Sequence, residues 1–161
     1  MDNTGATMTG GCQCGAMRYA LSEKPESTVC HCRMCQKAVG GPFAAFCKVK
    51  TATFHWTRGS PSSFRSSSAA ERQFCAACGT PLTFRYLDGD AIEVTTGSLD
   101  DAAAVPPTMN FGSESRLPWI DRLLPGRLPD TPTSASSSAA REIVSHQHPD
   151  HDTANGRTGR G

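Results

Sequence analysis

Eight cysteines, all between residues 12 and 78, constrain this 161-residue chain more than any other feature. They form the clusters CQC, CHCRMC and CAACG, together with a lone Cys47. The opening residues, MDNTGATMTGG, have neither the basic start nor the apolar run of a secretory signal. We therefore expect a cytoplasmic protein, in whose reducing surroundings clustered thiols indicate metal or redox chemistry more than a disulfide framework.

Length and charge limit the number of domains and the classes of partner that we expect. A chain of 161 residues suits one domain with a real core. The formal net charge of +1 gives no reason to expect a nucleic-acid partner. No apolar run approaches the roughly 20 residues that cross a bilayer, so we expect no membrane partner either. The composition carries no information on oligomeric state.

The residue pattern predicts an all-β fold. Runs rich in β-branched and aromatic residues occupy positions 17–21, 43–56, 81–87 and 91–97. The sequence DGD between the last two runs predicts a hairpin turn. The stretch SPSSFRSSS (60–68) has the composition of a loop, and RMCQKAV (33–39) could form one or two helical turns.

The chain divides into three parts by composition. We predict a flexible N-terminus over residues 1–9, a single folded domain over 10–132 and a disordered tail over 133–161. The tail has no aromatic residue and few large aliphatic ones, so it cannot bury enough apolar surface to offset the entropy of ordering. We interpret its HQHPDH stretch as an adventitious metal-binding tract.

The pair Cys75 and Cys78, followed by Gly79, has the spacing of a zinc knuckle. Such a turn points two sulfurs at one ion, and glycine removes a side chain from its tightest point. Tetrahedral zinc takes four ligands, and Cys12 and Cys14 can supply the other pair. Zinc held in this way would tie the start of the fold to its later half. The spacing alone leaves other pairings open.

The remaining cluster contains Cys30, Cys32 and Cys35, one thiol short of a closed zinc site. Three thiolates on one zinc leave a fourth position open, and sites of this kind are usually catalytic. Alternatively, Cys47 or His31 closes the site and it is structural. The alternating run FAAFCKV favours a buried, apolar environment for Cys47.

Several segments together resemble the glutathione-dependent formaldehyde-activating (GFA) family, which also includes centromere protein V. These segments are GGCQCGAMRYAL, CHCRMCQKAVGGPF, FCAACGTPL and GSLDD, and VPPTMNF and LPWIDRLLP resemble the C-terminal part of the family. The resemblance covers residues 10–132. The segment WIDRLLPGRLP is shorter than the family's usual ending, Cys47 is not part of its pattern, and the tail has no counterpart.

The resemblance implies a β-tent fold, in which small antiparallel sheets are held together by zinc, with two zinc ions per chain. The implied structural ligands are Cys12, Cys14, Cys75 and Cys78, and the implied catalytic ligands are Cys30, Cys32 and Cys35. The implied activity is that of a carbon–sulfur lyase, with S-hydroxymethylglutathione formation from formaldehyde and glutathione as the named example. The expected partner is therefore a small-molecule thiol or thiol adduct such as glutathione.

Other residues have weaker assignments. His31 is the nearest candidate for a general base, although it could equally be a hydrogen-bond partner. Asp100 and Asp101 are expected to cap backbone amides after a strand. Five basic side chains could meet the carboxylates of glutathione: Arg33, Lys37, Arg65, Arg72 and Arg85.

Two further functions fit the same cysteines. A non-catalytic zinc module that contacts another macromolecule would have both sites closed. A thiol redox sensor would convert the second cluster to a disulfide when zinc is lost.

Overall fold

The computed structural model describes residues 8–123, 128 and 145–154. Within them the chain forms ten strands, one α-helix and several single 3₁₀ turns. The elements are β1 (Met8–Gly11), β2 (Arg18–Leu21), β3 (Glu26–Cys30), α1 (Arg33–Val39), β4 (Ala44–Lys50), β5 (Phe54–Arg58), β6 (Ser62–Arg65), β7 (Ala70–Phe74), β8 (Pro81–Tyr86), β9 (Ala91–Thr95) and β10 (Met109–Phe111).

The strands form two sheets. The smaller is antiparallel, with the order β1-β2-β5, and the larger has the order β10-β3-β4-β9-β8-β7-β6. All neighbours in the larger sheet are antiparallel except β10, which runs parallel to β3. The prediction of an all-β fold is confirmed, although one sheet is larger than the resemblance implied and includes a parallel pair.

The main core combines side chains from both sheets. Tyr19 and Leu21 from the smaller sheet and Leu82 and Val94 from the larger one are fully buried in a single cluster. Because neighbouring residues of a strand point to opposite faces, strands such as β2, β4 and β9 contribute every second side chain to this layer. Cys47 lies in the same cluster with no exposed surface, so the expectation that it is a buried apolar residue is confirmed.

The helix α1 lies beside strand β4 and covers a second, smaller core. It begins where the Cys32 sulfur accepts a hydrogen bond from the Cys35 N–H at 3.4 Å. It ends at Gly40, whose φ of 66° suits the left-handed position that commonly terminates a helix. The predicted helical turns over 33–39 are thus confirmed. Among the described residues, no helix has the length and apolar character needed to cross a bilayer.

Two predicted boundaries differ from the structure. Residues 62–65, predicted as part of a loop, form β6 and pair with β7. This strand lies at the sheet edge, where polar side chains are common. Because it is rich in serine, its composition is that of a loop, and composition alone did not predict a strand. Met8 and Thr9, predicted as flexible, belong to β1, while residues 1–7 lie outside the described residues.

Residues 145–154 lie against the domain, although the sequence predicted disorder for this stretch. The backbone N–H of His148 donates to the Gln13 carbonyl at 2.7 Å, and the His148 side chain is only 4% exposed. Arg18 donates to Asp152 at 2.8 Å. These contacts are mainly polar, and a prediction based on apolar content could not detect them. The rest of the predicted tail lies outside the described residues.

Candidate functional site

Four cysteines meet where two loops approach each other. Cys12 and Cys14 follow β1, and Cys75 and Cys78 lie between β7 and β8. The four sulfur atoms lie within 4.8 Å of one another. The Cys12–Cys14 sulfur distance is 3.6 Å and the Cys14–Cys75 distance is 3.8 Å. The fold therefore brings together the four residues that the sequence grouped as one site.

This geometry suits zinc. Four thiolates at about 2.3 Å from a tetrahedral ion are separated by about 3.8 Å, close to the two distances above. The loop carrying Cys75 turns at Gly79, whose φ is 78° and whose N–H donates to the Cys75 carbonyl at 2.8 Å. Since L-residues rarely adopt this φ, the glycine is what allows the tight turn.

The surroundings shift the pKa values of Cys12 and Cys78 in opposite directions. Burial raises the pKa of Cys12 to about 12. Burial also acts on Cys78, but hydrogen bonds from the Thr80 hydroxyl and from backbone amides outweigh it and lower its pKa to about 6. Because zinc binds thiolates, loading of this site would release the remaining thiol protons.

The second cluster lies at the start of α1. Cys30 ends β3, Cys32 caps the helix and Cys35 lies in its first turn. Their sulfur atoms lie within 4.8 Å of one another, and no other His, Cys, Asp or Glu of the described residues joins this group. Cys47 and His31, the two residues that could have closed the site, therefore do not belong to it. Three sulfurs at this spacing fit zinc with one position left for another ligand.

The three thiols also differ in acidity. Burial raises the pKa of Cys30 to about 12. Burial likewise acts on Cys32, but hydrogen bonds from the Cys35 amide and from the neighbouring thiols lower its pKa. Burial raises the pKa of Cys35, although a hydrogen bond from Arg72 opposes it. The surroundings thus favour the thiolate form of Cys32 and disfavour that of Cys30 and Cys35.

His31 is buried beside the second cluster. Its Nε2 lies 2.9 Å from Asn110 Oδ1, and its backbone N–H donates to the Phe111 carbonyl at 2.8 Å. The Gln36 side chain donates to the His31 carbonyl at 2.8 Å. These contacts fix the backbone that carries Cys30 and Cys32. Of the roles considered for His31, the structure favours a hydrogen-bonded support.

The residue that follows β10, Gly112, packs against Cys32 of the same cluster. Gly112 has a φ of 61°, and a Cβ on it would lie 2.8 Å from the Cys32 backbone nitrogen. Only glycine fits this position without strain or displacement. The sequence reasoning missed this role, since a lone glycine before SES gives no signal of what packs against it.

One of the five basic candidates contacts a cysteine. The Arg72 guanidinium donates to the Cys35 sulfur at 3.3 Å and lies 4.7 Å from the centre of the Phe84 ring. Arg85 instead pairs with Glu71 at 3.5 Å. The other three, Arg33, Lys37 and Arg65, are exposed.

Comparison with known proteins places this site in a family. Residues 7–114, more than half of the chain, match the sequence model described as glutathione-dependent formaldehyde-activating enzyme. The chain belongs to the GFA family. The matched region includes both cysteine clusters.

This GFA domain is similar to an uncharacterized lyase of Schizosaccharomyces pombe, with 39% identity over 82 residues. That match covers 50% of this chain and 58% of the yeast protein. The fold is similar to a crystal structure of a Rhodobacter sphaeroides protein, with a TM-score of 0.52 and 20% identity. The overlap covers 65% of this chain and 99% of the bacterial one.

The GFA domain also contains a buried ion pair that the sequence did not reveal. The two terminal nitrogens of Arg18 donate to the Asp100 carboxylate at 2.8 and 2.5 Å, and Thr9 donates to it at 2.5 Å. Asp100 thus binds side chains, and Asp101 makes no side-chain cap, so the predicted capping of backbone amides is wrong for both. Arg18 lies in a strand-like run, where its sequence neighbours give no sign of a partner 82 residues away.

Proposed function

We propose that this GFA-family protein is a zinc-dependent carbon–sulfur lyase-type enzyme that acts on a thiol adduct of an aldehyde. S-hydroxymethylglutathione, formed from glutathione and formaldehyde, is the simplest such adduct. The observation that carries the proposal is the cluster of Cys30, Cys32 and Cys35, which no fourth ligating side chain of the described residues completes. Membership of the family and the name of the S. pombe relative support the same reaction type.

The two clusters would have different tasks. Cys12, Cys14, Cys75 and Cys78 would hold a structural zinc that joins the loop after β1 to the loop before β8. The three-cysteine cluster would hold a second zinc, which supplies a position where a substrate thiol can bind as thiolate at neutral pH. A reducing compartment such as the cytoplasm keeps all seven of these thiols available as ligands.

The proposed reaction is an addition and its reverse. In the forward direction the substrate sulfur forms a bond to the aldehyde carbon while the carbon–oxygen π bond breaks. The thiol proton ends on the new hydroxyl oxygen. No oxidant or reductant is needed, because the two reactants together contain all atoms and electrons of the product. Cleavage of the adduct reverses each of these changes.

The protein's own residues contribute position and charge. Gln36 donates a hydrogen bond to the His31 carbonyl, and Asn110 Oδ1 accepts one from the His31 ring. These two bonds fix His31, and through it the backbone between Cys30 and Cys32. Arg72 places a positive charge 3.3 Å from the Cys35 sulfur, where it offsets the negative charge of three thiolates. A fixed site that brings thiol and aldehyde together removes part of the entropic barrier to their reaction.

The test is a rate measurement at equilibrium. Glutathione and formaldehyde combine without a catalyst, so exchange between free and adduct glutathione is followed by NMR with and without the zinc-loaded protein. We expect the wild type to accelerate exchange and Cys35→Ser to lose most of that acceleration. Cys47→Ala, which alters a cysteine of the core, is the matched control and should retain it.

The exchange measurement and a separate treatment with an oxidant distinguish the two alternatives. If the zinc-loaded protein does not accelerate exchange for formaldehyde or for larger aldehydes, a non-catalytic zinc module becomes the better description. If instead an oxidant releases zinc from the second cluster and forms a disulfide there, the protein behaves as a redox sensor.

A further inference from the structure

A cavity of about 590 Å³ lies beside the three-cysteine cluster. The helix α1 forms one wall, and residues of β6, β7 and β8 form the others. Arg72 connects the two sites, since it lines the cavity and also donates to the Cys35 sulfur. Met34, the residue before Cys35, lines the cavity as well. A substrate bound through its sulfur at the cluster could therefore extend into this cavity.

The cavity is larger than the simplest substrate needs. Its volume lies in the range of sites that bind small organic molecules, about 300–1,000 Å³. A hydroxymethyl group adds only one carbon and one oxygen to a thiol. The walls are mostly apolar, with contributions from Met34, Val39, Phe46, Phe64, Phe74 and Pro81. A small polar hydroxymethyl group would leave most of this surface uncovered.

Two large apolar side chains at the cavity are exposed. Phe64 on the edge strand β6 is 63% exposed, and Met34 on α1 is 60% exposed. Both line the cavity, one on the strand side and one on the helix side. Exposed apolar surface that lines a concave site is typical of ligand binding, because a ligand removes it from water.

The charged side chains that line the cavity are all basic. Arg33, Lys37 and Arg72 line it, and no acidic residue does so among the described residues. Arg72 is held in place by the Cys35 sulfur and by the Phe84 ring. A guanidinium whose orientation is fixed in this way is well suited to bind a carboxylate through two hydrogen bonds.

We propose that the cavity binds thiol adducts that combine a carboxylate with an apolar group several carbons long. The carboxylate binds Arg72, and the apolar group lies against Phe64 and Met34. The physiological aldehyde would accordingly be larger and more apolar than formaldehyde, while the carboxylate belongs to a peptide-like thiol of the glutathione type. This proposal rests on the carbon–sulfur chemistry proposed for the three-cysteine cluster.

The test uses two probes that contain no free thiol. S-methylglutathione and S-hexylglutathione carry the same charges and differ only by five methylene groups. Their dissociation constants are measured by calorimetry with the zinc-loaded full chain. We expect the hexyl compound to bind at least about tenfold more tightly, a difference of about 1.4 kcal/mol.

Two substitutions test separately how the apolar group and the carboxylate of the ligand contribute to affinity. Phe64→Ala, at an exposed edge-strand position, should weaken S-hexylglutathione and leave S-methylglutathione unchanged, so that the ratio falls to about threefold or less. Arg72→Gln should weaken both probes by about tenfold and preserve their ratio. Arg85→Gln is the matched control, because Arg85 pairs with Glu71 and does not line this cavity.

Arg72 touches a proposed zinc ligand, so the zinc content of each variant is measured alongside binding. Arg72→Lys keeps the positive charge without the planar fork and should give affinities between those of the wild type and Arg72→Gln. Equal affinity of the wild type for both probes would overturn the proposal, as would unchanged binding in both Arg72 variants. Neither probe can react, so the result is independent of whether the protein accelerates glutathione–formaldehyde exchange.

Discussion

Asp100 is the residue whose removal should most affect stability away from the cysteines. It lies in a 97–101 segment that also carries Ser98, which hydrogen-bonds the buried Tyr19 hydroxyl at 2.7 Å. The Asp100 side chain is 13% exposed and that of its partner Arg18 is 3% exposed. Removal of Asp100 takes two hydrogen bonds and a carboxylate from the buried Arg18 guanidinium, which then keeps the more exposed Asp152 as its charged partner.

We expect Asp100→Asn to lower the free energy of unfolding at pH 7 by about 3 kcal/mol. Burial alone would raise the pKa of Asp100, but hydrogen bonds from Arg18 and Thr9 outweigh it, so the folded-state pKa is lowered. A lowered pKa contributes stability above the unfolded value of about 3.9, and this stability is lost as the pH falls through the folded value. The difference between wild type and variant should therefore stay constant from pH 8 to pH 5.5.

Chemical denaturation at several pH values measures this difference. Asp121→Asn is the matched control, because Asp121 pairs with Arg116 on the surface and its loss should change stability by less than about 0.5 kcal/mol. A difference for Asp100→Asn that already shrinks between pH 7 and pH 5.5 would contradict the lowered pKa.

Gly112 gives a second prediction at the residue scale. Gly112→Ala places a methyl group 2.8 Å from the Cys32 nitrogen and forces an unfavourable φ, at a cost of at least about 1–2 kcal/mol. We expect weaker zinc binding at the three-cysteine cluster, with the four-cysteine cluster unaffected. Competition with a chelator measures the two affinities.

Gly97→Ala is the control for this prediction. No atom lies within 4 Å of a Cβ at Gly97, and its φ is not in the left-handed region. The hypothesis that β10 supports the second cluster fails if both glycine variants retain wild-type zinc affinity at that cluster.

At the scale of elements, the segment 145–154 stabilises the loop that carries Cys12 and Cys14. His148 binds Gln13 between these two cysteines, and its ring occupies the space beside Gly15. The Arg58 guanidinium donates to the Gly15 carbonyl at 3.1 Å and also donates to the Thr153 carbonyl. The segment is thus connected to both the cysteine loop and β5.

Deletion of residues 145–161 should lower the free energy of unfolding by about 1–2 kcal/mol and accelerate zinc loss from the four-cysteine cluster. The reason is that Gln13 and Arg18 lose their partners in the segment. Zinc release to a colorimetric chelator measures the rate, and deletion of residues 155–161 alone is the control. Identical rates for both deletions and the full chain would show that the segment does not support the loop.

The sequence predicted elements whose signal is local and missed those that depend on distant partners. The runs that became β2, β4, β8 and β9 are rich in β-formers, and the helix has its own cap in Cys32. Five strands were not predicted: β1, β3, β6, β7 and β10. Of these, β1, β6 and β10 are short and lie at sheet edges, while β3 (ESTVC) and β7 (AERQF) are rich in polar residues.

The cysteine groups were predictable in part from spacing typical of metal ligands, and the family resemblance supplied the pairing that spacing alone left open. Cys75 and Cys78 show the knuckle directly, and the CQC motif offers the pair that it lacks. Arg72 and Arg18 were not distinguishable in advance from exposed basic residues. Arg72 is distinguished by its contact with Cys35, and Arg18 by its contact with Asp100. Both partners are distant in sequence, so no local sequence pattern indicates these contacts.

At the scale of the whole molecule, we propose that the four-cysteine cluster serves stability and the three-cysteine cluster serves chemistry. The four-cysteine cluster joins residues 61 positions apart in sequence, as the Cys14–Cys75 contact illustrates. The three-cysteine cluster is local, within β3 and the start of α1, and lies beside the 590 Å³ cavity. Loss of the first metal should therefore affect the fold, and loss of the second should affect mainly the proposed activity.

The most direct test of the open site is cobalt substitution followed by addition of glutathione. Cobalt(II) replaces zinc at tetrahedral thiolate sites, and its visible spectrum reports each change of ligand. We expect two cobalt ions per wild-type chain and one per Cys35→Ser chain. Glutathione should change the spectrum of the wild type and leave that of Cys35→Ser unchanged, while S-methylglutathione, which has no thiol, should change neither. A wild-type spectrum that ignores glutathione, or one that changes equally in Cys35→Ser, would contradict an open thiol-binding metal site at Cys30, Cys32 and Cys35.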